Sequence, residues 1–445
     1  LDRLVGYSLS PLLGKGRSAG RVQSVTVRIL RDNQKAIEDR LLELEKVSGD
    51  MSGTTHPDMF YPINAVFGEQ KDMARLYYEG SDHFLNYNKV TELVKSSITH
   101  AKEFKVIKLV QSSTETIPSK PYITSTLQHD ASVKLKFNTK KTMQVAQELY
   151  QNGMITYMRT DSFDISALAV SQIKQYVTQT YGSQYYRFRK YQNRSGAQGA
   201  HECIRPSDIL KLPSNNSCFK SADQVKLYSL IWKRTIASLM SNATYDVNDT
   251  ILSPDTDMWN SFRIDPSDID KKTNTKIKGI NGLYYSSKLR TLSFDGFLVI
   301  YTDVNKTDVN TVGNTVGNTN LQMNDIVCCS EVTSSTNYSF SMTQLNEATL
   351  VQKLERLEIG RPSTYSGIIE TIQKRGYVVS TSYPGKSLPV KRIKATVRKF
   401  KTDDAVVILG KEVKKFQVTP IGNEIIDFLG QEFPDIIDLN FTANM

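Results

Sequence analysis

The run Gly153-Met154-Ile155-Thr156-Tyr157-Met158-Arg159-Thr160-Asp161-Ser162 sets a phenol, a guanidinium and a carboxylate at alternate positions. In extended backbone successive side chains point to opposite sides, so Tyr157, Arg159 and Asp161 share a face. A phenol with a pKa near ~10 is a weak nucleophile at neutral pH unless cations stabilise its anion and the charge developing on a phosphate. Arg159 stands where that cation is needed, and its planar fork holds phosphate oxygens while staying charged. The chemistry this pattern suits is phosphoryl transfer to Tyr157. An isolated Tyr-x-Arg is more often a half-buried strand tyrosine beside a surface arginine, so the other clusters must decide.

Ala200-His201-Glu202-Cys203-Ile204-Arg205-Pro206 places a titratable imidazole next to Glu202 and four residues from Arg205, a set that binds a phosphodiester or assists proton transfer. Alone, a His-Glu dipeptide is more often structural. Arg17-Ser18-Ala19-Gly20-Arg21-Val22-Gln23-Ser24 combines small residues, which let backbone approach a phosphate, with two arginines that neutralise it. In Gly360-Arg361-Pro362-Ser363-Thr364-Tyr365, Arg361 precedes a helix start with Pro362 in its first turn, again a phosphate clamp or simply a cap. Arg375-Gly376-Tyr377 lies just beyond it.

The elements that must position these groups are legible in the periodicity. Apolar residues recur with helical spacing from Asp2 to Leu13, and after the loop Gly14-Lys15-Gly16-Arg17 a second helix runs from Ser18 to about Lys46. A β-rich stretch is expected from Phe60 to Leu109. Thr124 to Lys136 reads as a helix, and a second starts at the N-cap Thr139 with Met143, Ala146, Leu149 and Tyr150 on one face. Gly153 is its left-handed stop, and Met154 to Thr160 is read as extended. The same order returns later: a stripe of Leu350, Leu354 and Leu357, a stop at Gly360, a cap at Ser363 or Thr364, a helix bearing Ile368, Ile369 and Ile372, a stop at Gly376, then extended Tyr377-Val378-Val379. Two helix-turn-helix-strand units, each like a winged-helix core, or two plain helical hairpins, fit this pattern. Strands are expected between Asp246 and Thr343, including Phe297 to Tyr301 and Asp325 to Val332, with a low-complexity loop at Asn305 to Asn320.

The 445 residues exceed what one core holds, and 56 Lys and Arg against 46 Asp and Glu give a charge of +10, which favours a polyanionic partner. No run approaches the roughly 20 apolar residues of a membrane-spanning helix. The cysteines Cys203, Cys218, Cys328 and Cys329 have neither zinc-motif spacing nor the density of a disulfide framework, which fits a reducing compartment. Leu1-Asp2-Arg3-Leu4 reads as the interior of a helix, so chain is expected upstream.

Taken together and in this order, Leu1-Asp2-Arg3-Leu4-Val5-Gly6-Tyr7, Ser18 to Ser24, Thr124-Ser125-Thr126-Leu127-Gln128, Ile155 to Ser162, Ala200-His201-Glu202 with Ile204-Arg205-Pro206, and Gly360 to Tyr365 resemble the type IA DNA topoisomerases, over essentially the whole chain. The resemblance implies an α+β multidomain, toroidal core. A helical base would comprise 1–46 and 335–445, the latter with a winged-helix-like unit. A β-rich arch would comprise 47–116 and 242–334, and a winged-helix-like gate domain 117–241. It implies an ATP-independent enzyme that relaxes negative supercoils through a transient 5′-phosphotyrosyl link. Tyr157 would be the nucleophile, with Arg159 and His201 at the scissile phosphate. Arg3, Ser8, Lys15, Ser18, Ala19, Gly20, Arg21, Val22, Gln23, Arg361, Ser363, Thr364 and Arg375 would contact DNA. The expected partners are single-stranded and negatively supercoiled DNA, with no membrane, a monomeric state and any helicase partner unnamed. A cytoplasmic, nucleoid-associated location is expected for a bacterial source, with viral or nuclear origin left open.

Mg²⁺ is expected for the full enzyme through an N-terminal Toprim domain preceding Leu1, with no metal on this chain; Asp255-Thr256-Asp257 and Asp268-Ile269-Asp270 read as solvated turns. Four-cysteine C-terminal zinc modules are missing from the pattern. Gly199 and Cys203 stand where many relatives carry Glu and Ala, and Lys15-Gly16-Arg17 is a shortened connection. The alternative function is a catalytically inactive scaffold that binds single-stranded DNA.

Overall fold

The computed structural model describes residues 2–14, 17–49, 55–68, 72–99, 103–193, 201–254, 264–270, 277, 280, 282–301 and 321–443, the side chains of 2–5, 216 and 443 excepted. Its helices are α1 (Asp2–Leu9), α2 (Arg21–Ser48), α3 (Tyr87–Thr99), α4 (Thr124–Asp130), α5 (Thr139–Gln151), α6 (Ala167–Thr180), α7 (Ala222–Ser238), α8 (Glu347–Arg356), α9 (Tyr365–Lys374), α10 (Pro420–Glu432) and α11 (Leu439–Ala443). The strands are β1 (Met59–Phe60), β2 (Ile63–Phe67), β3 (Asp72–Tyr78), β4 (Glu103–Thr116), β5 (Ala243–Pro254), β6 (Leu283–Phe294), β7 (Ile326–Ser335), β8 (Asn337–Tyr338), β9 (Val378–Tyr383), β10 (Lys386–Thr396), β11 (Lys399–Leu409) and β12 (Glu412–Val418). The mixture of helices with one large antiparallel sheet is the α+β class expected.

The large sheet has the order β11-β10-β7-β2-β3-β6-β5-β4, and β4 also pairs with β7. The ring β2-β3-β6-β5-β4-β7 therefore closes on itself where Glu103, Phe104 and Lys105 of β4 meet β7. Alternation makes this possible: in β2 the buried positions Ile63, Ala65 and Phe67 point into a core shared with Leu76, Phe104, Tyr285 and Val332. The stretch Phe60 to Leu109 is not wholly β, since α3 interrupts it and buries Val90, Leu93, Val94 and Ile98 in the same core.

A second core joins Tyr122, Leu127, Ala146, Leu149, Ile155 and Met158 to α6 and α7. Phe297 and Ile300 belong to it because Gly296–Tyr301 is a 3₁₀ helix and not the strand expected; spacing of three turns both side chains inward. Gly296 has φ of 49° with its Cα against the Asn242 carbonyl, so no side chain fits there. A third core packs α2 through Val25, Val27, Ile29 and Leu30 against α8, α9 and α10.

The two helix-helix units face each other, α4 on α8 and α5 on α9. The first helix is not uniform to Lys136: after Asp130 the chain makes a π-helical turn, Ala131–Leu135, and stops at left-handed Lys136. The break after α8 falls at Glu358 (φ 58°), where Glu358 N–H bonds Glu355 O and Ile359 N–H bonds Leu354 O, two residues before the expected Gly360. The low-complexity run Asn305 to Asn320 lies outside the described residues.

Candidate active site

Tyr157 is set by the end of α5. Gly153 (φ 65°) donates to Tyr150 O at 2.9 Å and Met154 to Leu149 O at 2.9 Å, the paired closure that lets the chain leave the helix sharply. Beyond Met154 the chain is not a regular strand, since a single bridge joins Ile155 to Pro206. The alternation expected of it holds in burial only from Tyr157 onward: Tyr157 and Arg159 are exposed and Met158 and Thr160 buried, whereas Met154 and Ile155 are both buried. Side-chain hydrogen bonds replace the missing ladder. Thr124 Oγ1 lies 2.8 Å from Met158 O and 3.0 Å from Thr160 O and accepts from Thr160 N–H at 2.9 Å. Thr156 Oγ1 donates to Cys203 O at 2.7 Å and accepts from Arg205 N–H at 2.9 Å.

That last pair brings the His201 segment beside Tyr157. The His201 ring stands edge-on to Tyr157, 6.1 Å between centroids, and its Nδ1 is buried with no partner among the described residues. Tyr150 packs edge-on from another side at 5.3 Å. It was expected on the buried face of α5, yet it is 40% exposed, as is Tyr157. Neither the Tyr157 hydroxyl nor the Arg159 guanidinium has a hydrogen-bond partner among the described residues, so both remain free for a substrate. By contrast, burial pushes the phenols of Tyr122, Tyr191 and Tyr228 above their ordinary range, which makes them poor nucleophiles. Burial likewise raises the Cys203 thiol to about 12, so this neighbour of His201 stays protonated at neutral pH.

Arg205 is committed to structure: its guanidinium bonds Glu202 at 2.5 Å, Pro206 O at 2.9 Å and Ser166 Oγ at 3.2 Å. Asn193 pins the other flank, accepting from Phe163 N–H at 2.7 Å and donating to Asp164 at 2.7 Å. The sequence did not mark the positioning roles of Asn193 and Thr124, because only the folded chain brings their partners within reach.

The two arginine-rich clusters meet each other. Ser18 N–H donates to Tyr377 Oη at 2.7 Å and Tyr377 Oη donates to Ser18 O at 2.9 Å. One cleft of about 290 Å³ is lined by Gly20, Arg21, Val22, Gln23, Arg361 and Thr364, and a neighbouring cleft of about 520 Å³ by Tyr7, Arg17, Ser18, Ala19 and Arg375. No side chain caps α2 at Gly20, so its first turn presents amide N–H groups and the positive end of a 28-residue helix. Arg361 is exposed, and its guanidinium touches only Gly360 O, at 3.4 Å, among the described residues. Ser8 and Ser363 are exposed but line neither cleft. The Arg3 side chain and Lys15 lie outside the described residues, as does Asp255-Thr256-Asp257.

Among the described residues no group of three or more His, Cys, Asp or Glu stands together as a metal site, and no helix is long and apolar enough to cross a membrane. The described residues therefore offer no cluster that fits Mg²⁺.

The sequence model of a family described as DNA topoisomerase matches residues 1–407. A protein of Acanthamoeba polyphaga mimivirus described as "DNA topoisomerase 1 type prokaryotic" is 36% identical, over all of this chain and 52% of its own length. The full-length topoisomerase I of Thermotoga maritima superposes with a TM-score of 0.68 at 25% identity, covering all of this chain and 61% of that one. The chain thus spans about half the length of the viral relative. A matching family over most of the residues, with an exposed tyrosine flanked by free cationic and imidazole groups, shows that the chain belongs to the type IA DNA topoisomerases.

Proposed function

We propose that this chain supplies the strand-cutting tyrosine of an ATP-independent DNA topoisomerase. The Tyr157 oxygen attacks a backbone phosphorus of single-stranded DNA; the P–O bond to the 3′ oxygen breaks as the P–O bond to tyrosine forms, and the 3′ oxygen leaves as a hydroxyl. Another strand passes through the gap. The hydroxyl then attacks the phosphotyrosine in the reverse exchange, so the bond energy is conserved. Arg159 neutralises the five-coordinate phosphate, and His201 bonds a phosphodiester oxygen or moves the proton. Arg21, Gln23, Arg361 and Arg375, together with the α2 amides, hold the backbone of the same DNA. On this reading residues 117–241 move as a gate against a base of 1–46 and 335–445, beneath an arch of 47–116 and 242–334, and DNA is bound by a monomer. Mg²⁺ is supplied from outside the residues described.

The observation that carries this reading is the unpartnered, exposed Tyr157 beside Arg159 and His201. It also favours an enzyme over a scaffold, which needs no free nucleophile. The test uses the full-length protein carrying this chain, 5′-labelled and 3′-labelled single-stranded oligonucleotides and Mg²⁺. Wild type is expected to trap protein on the 5′ end of the break, and Tyr157→Phe to trap none while still binding DNA. An adduct of undiminished yield in Tyr157→Phe would overturn the assignment.

A further inference from the structure

The hairpin β10–β11 leaves the small sheet β9–β12 and enters the large one, where β10 pairs with β7 from Arg392↔Ser335 to Thr396↔Glu331. Alternation buries Ile393 and Ala395 in the sheet core and turns Arg392 and Lys394 outward. The register of the hairpin puts Lys401 directly opposite Lys394 and Lys399 opposite Thr396, on that same outward face. Like charges directly opposite each other oppose strand pairing, so this arrangement is one that stability alone disfavours. Two carboxylates answer it: Glu331 bonds Lys394 at 2.8 Å and Asp403 bonds Lys401 at 2.5 Å. Asp404 sits on the opposite face, across from Lys391. The charged heads of Arg392, Arg398 and Lys399 have no hydrogen-bond or ion-pair partner among the described residues.

Lysines on an exposed edge strand discourage strand addition, and that accounts for β11, which is the edge. It does not account for Arg392 and Lys394, because β10 is paired on both sides there; Lys394 is bonded to Glu331, and Arg392 stands across from Asp403, whose carboxylate bonds Lys401 instead. Nor is Phe400 a stacking platform, since the Lys95 ammonium covers its ring at 4.7 Å.

We propose that this β-ribbon is a second DNA contact, which binds the phosphodiester backbone through Arg392, Arg398 and Lys399. It is built on the sheet core and not on the core that carries Tyr157. The inference rests on the DNA-cleaving reading above and extends it to a surface outside the cleavage site. Recognition is of backbone charge, so the site is independent of sequence.

The test measures binding of this chain to a fluorescent oligonucleotide, single-stranded in one arm and duplex in the other, across a salt series. The Arg392→Ala/Arg398→Ala/Lys399→Ala variant removes only groups without intramolecular partners. A Lys190→Ala/Lys211→Ala/Lys226→Ala variant controls for net charge. The ribbon variant is expected to weaken binding in at least one arm, with a log–log salt slope shallower by about 0.9 per lost contact on duplex or about 0.7 on single strands. The arm that changes tells which form of DNA lies on the ribbon. Slopes equal to wild type in both arms, or an equal change in the control variant, overturn the ribbon assignment while leaving Tyr157 untouched. Failure of wild type to bind either form overturns the DNA reading itself.

Discussion

Thr124 is where a single side chain decides the geometry of the loop that carries Tyr157. Its hydroxyl lies within reach of the Met158 and Thr160 carbonyls and of Thr160 N–H, and the residue is 1% exposed, so water has little room to replace it. Thr124→Val keeps the shape and strands buried backbone groups, at a cost of about 1–3 kcal/mol. Because those groups flank Arg159, adduct yield should fall together with the melting temperature, and Thr124→Ser should restore both. A valine variant that melts and cuts like wild type would show that Thr124 does not hold the loop. That Tyr157 and Arg159 share an exposed side was legible before any fold was known, because alternation alone sets them there. Thr124 was visible only as part of a motif, since its partners lie more than thirty positions on and its work is done on main-chain atoms.

At the scale of elements, the two helical units are joined by carboxylates of one and donors of the other. Glu347, the first residue of α8, accepts from Thr139 N–H at 3.1 Å and Thr139 Oγ1 at 3.0 Å, so it caps α5 from across the interface, alongside Asn138, which bonds Lys141 N–H at 2.8 Å. Glu355 accepts from Ser125 at 2.5 Å, and Glu370 pairs with Lys140 at 2.8 Å on the exposed rim. Glu347→Ala is expected to lower stability by about 0.5–2 kcal/mol, the usual value of a cap, and to raise amide exchange in the first turn of α5. A Lys140→Ala change at the solvated rim should alter melting little. Unchanged exchange in α5 after Glu347→Ala would mean that Asn138 caps the helix unaided. The helices themselves were readable from apolar spacing and from Gly153 and Gly376, whose φ of 65° and 69° close α5 and α9. Two departures have physical causes. Glu358 takes the left-handed stop that glycine at 360 was expected to supply, and Phe297 to Tyr301 looks like a strand because a short apolar run has no period long enough to separate strand from 3₁₀ helix. The place of β10–β11 in the large sheet was not legible either, because register with β7 links residues more than fifty positions apart.

For the whole molecule, the face between α4 and α8 is where the proposed gate meets the proposed base, and one of its residues is at odds with simple stability. Gln128 is fully buried, and neither its amide oxygen nor its amide nitrogen has a hydrogen-bond partner among the described residues. It lies one turn on from Ser125, which touches α8, and so on the same side of α4. A buried amide left without partners costs about 1–3 kcal/mol, and an apolar side chain of similar volume removes that cost. Separation of the two helices would instead hydrate the amide, so Gln128 biases the closed arrangement toward opening. Gln128→Met is therefore expected to raise the melting temperature, to leave cutting and resealing of a short oligonucleotide unchanged, and to slow relaxation of a supercoiled circle by the full-length protein, because only the last reaction requires the helices to part. A melting temperature that falls instead would show that the amide is already satisfied in the closed state. Higher stability with an unaltered relaxation rate would show that strand passage does not open the molecule along this face.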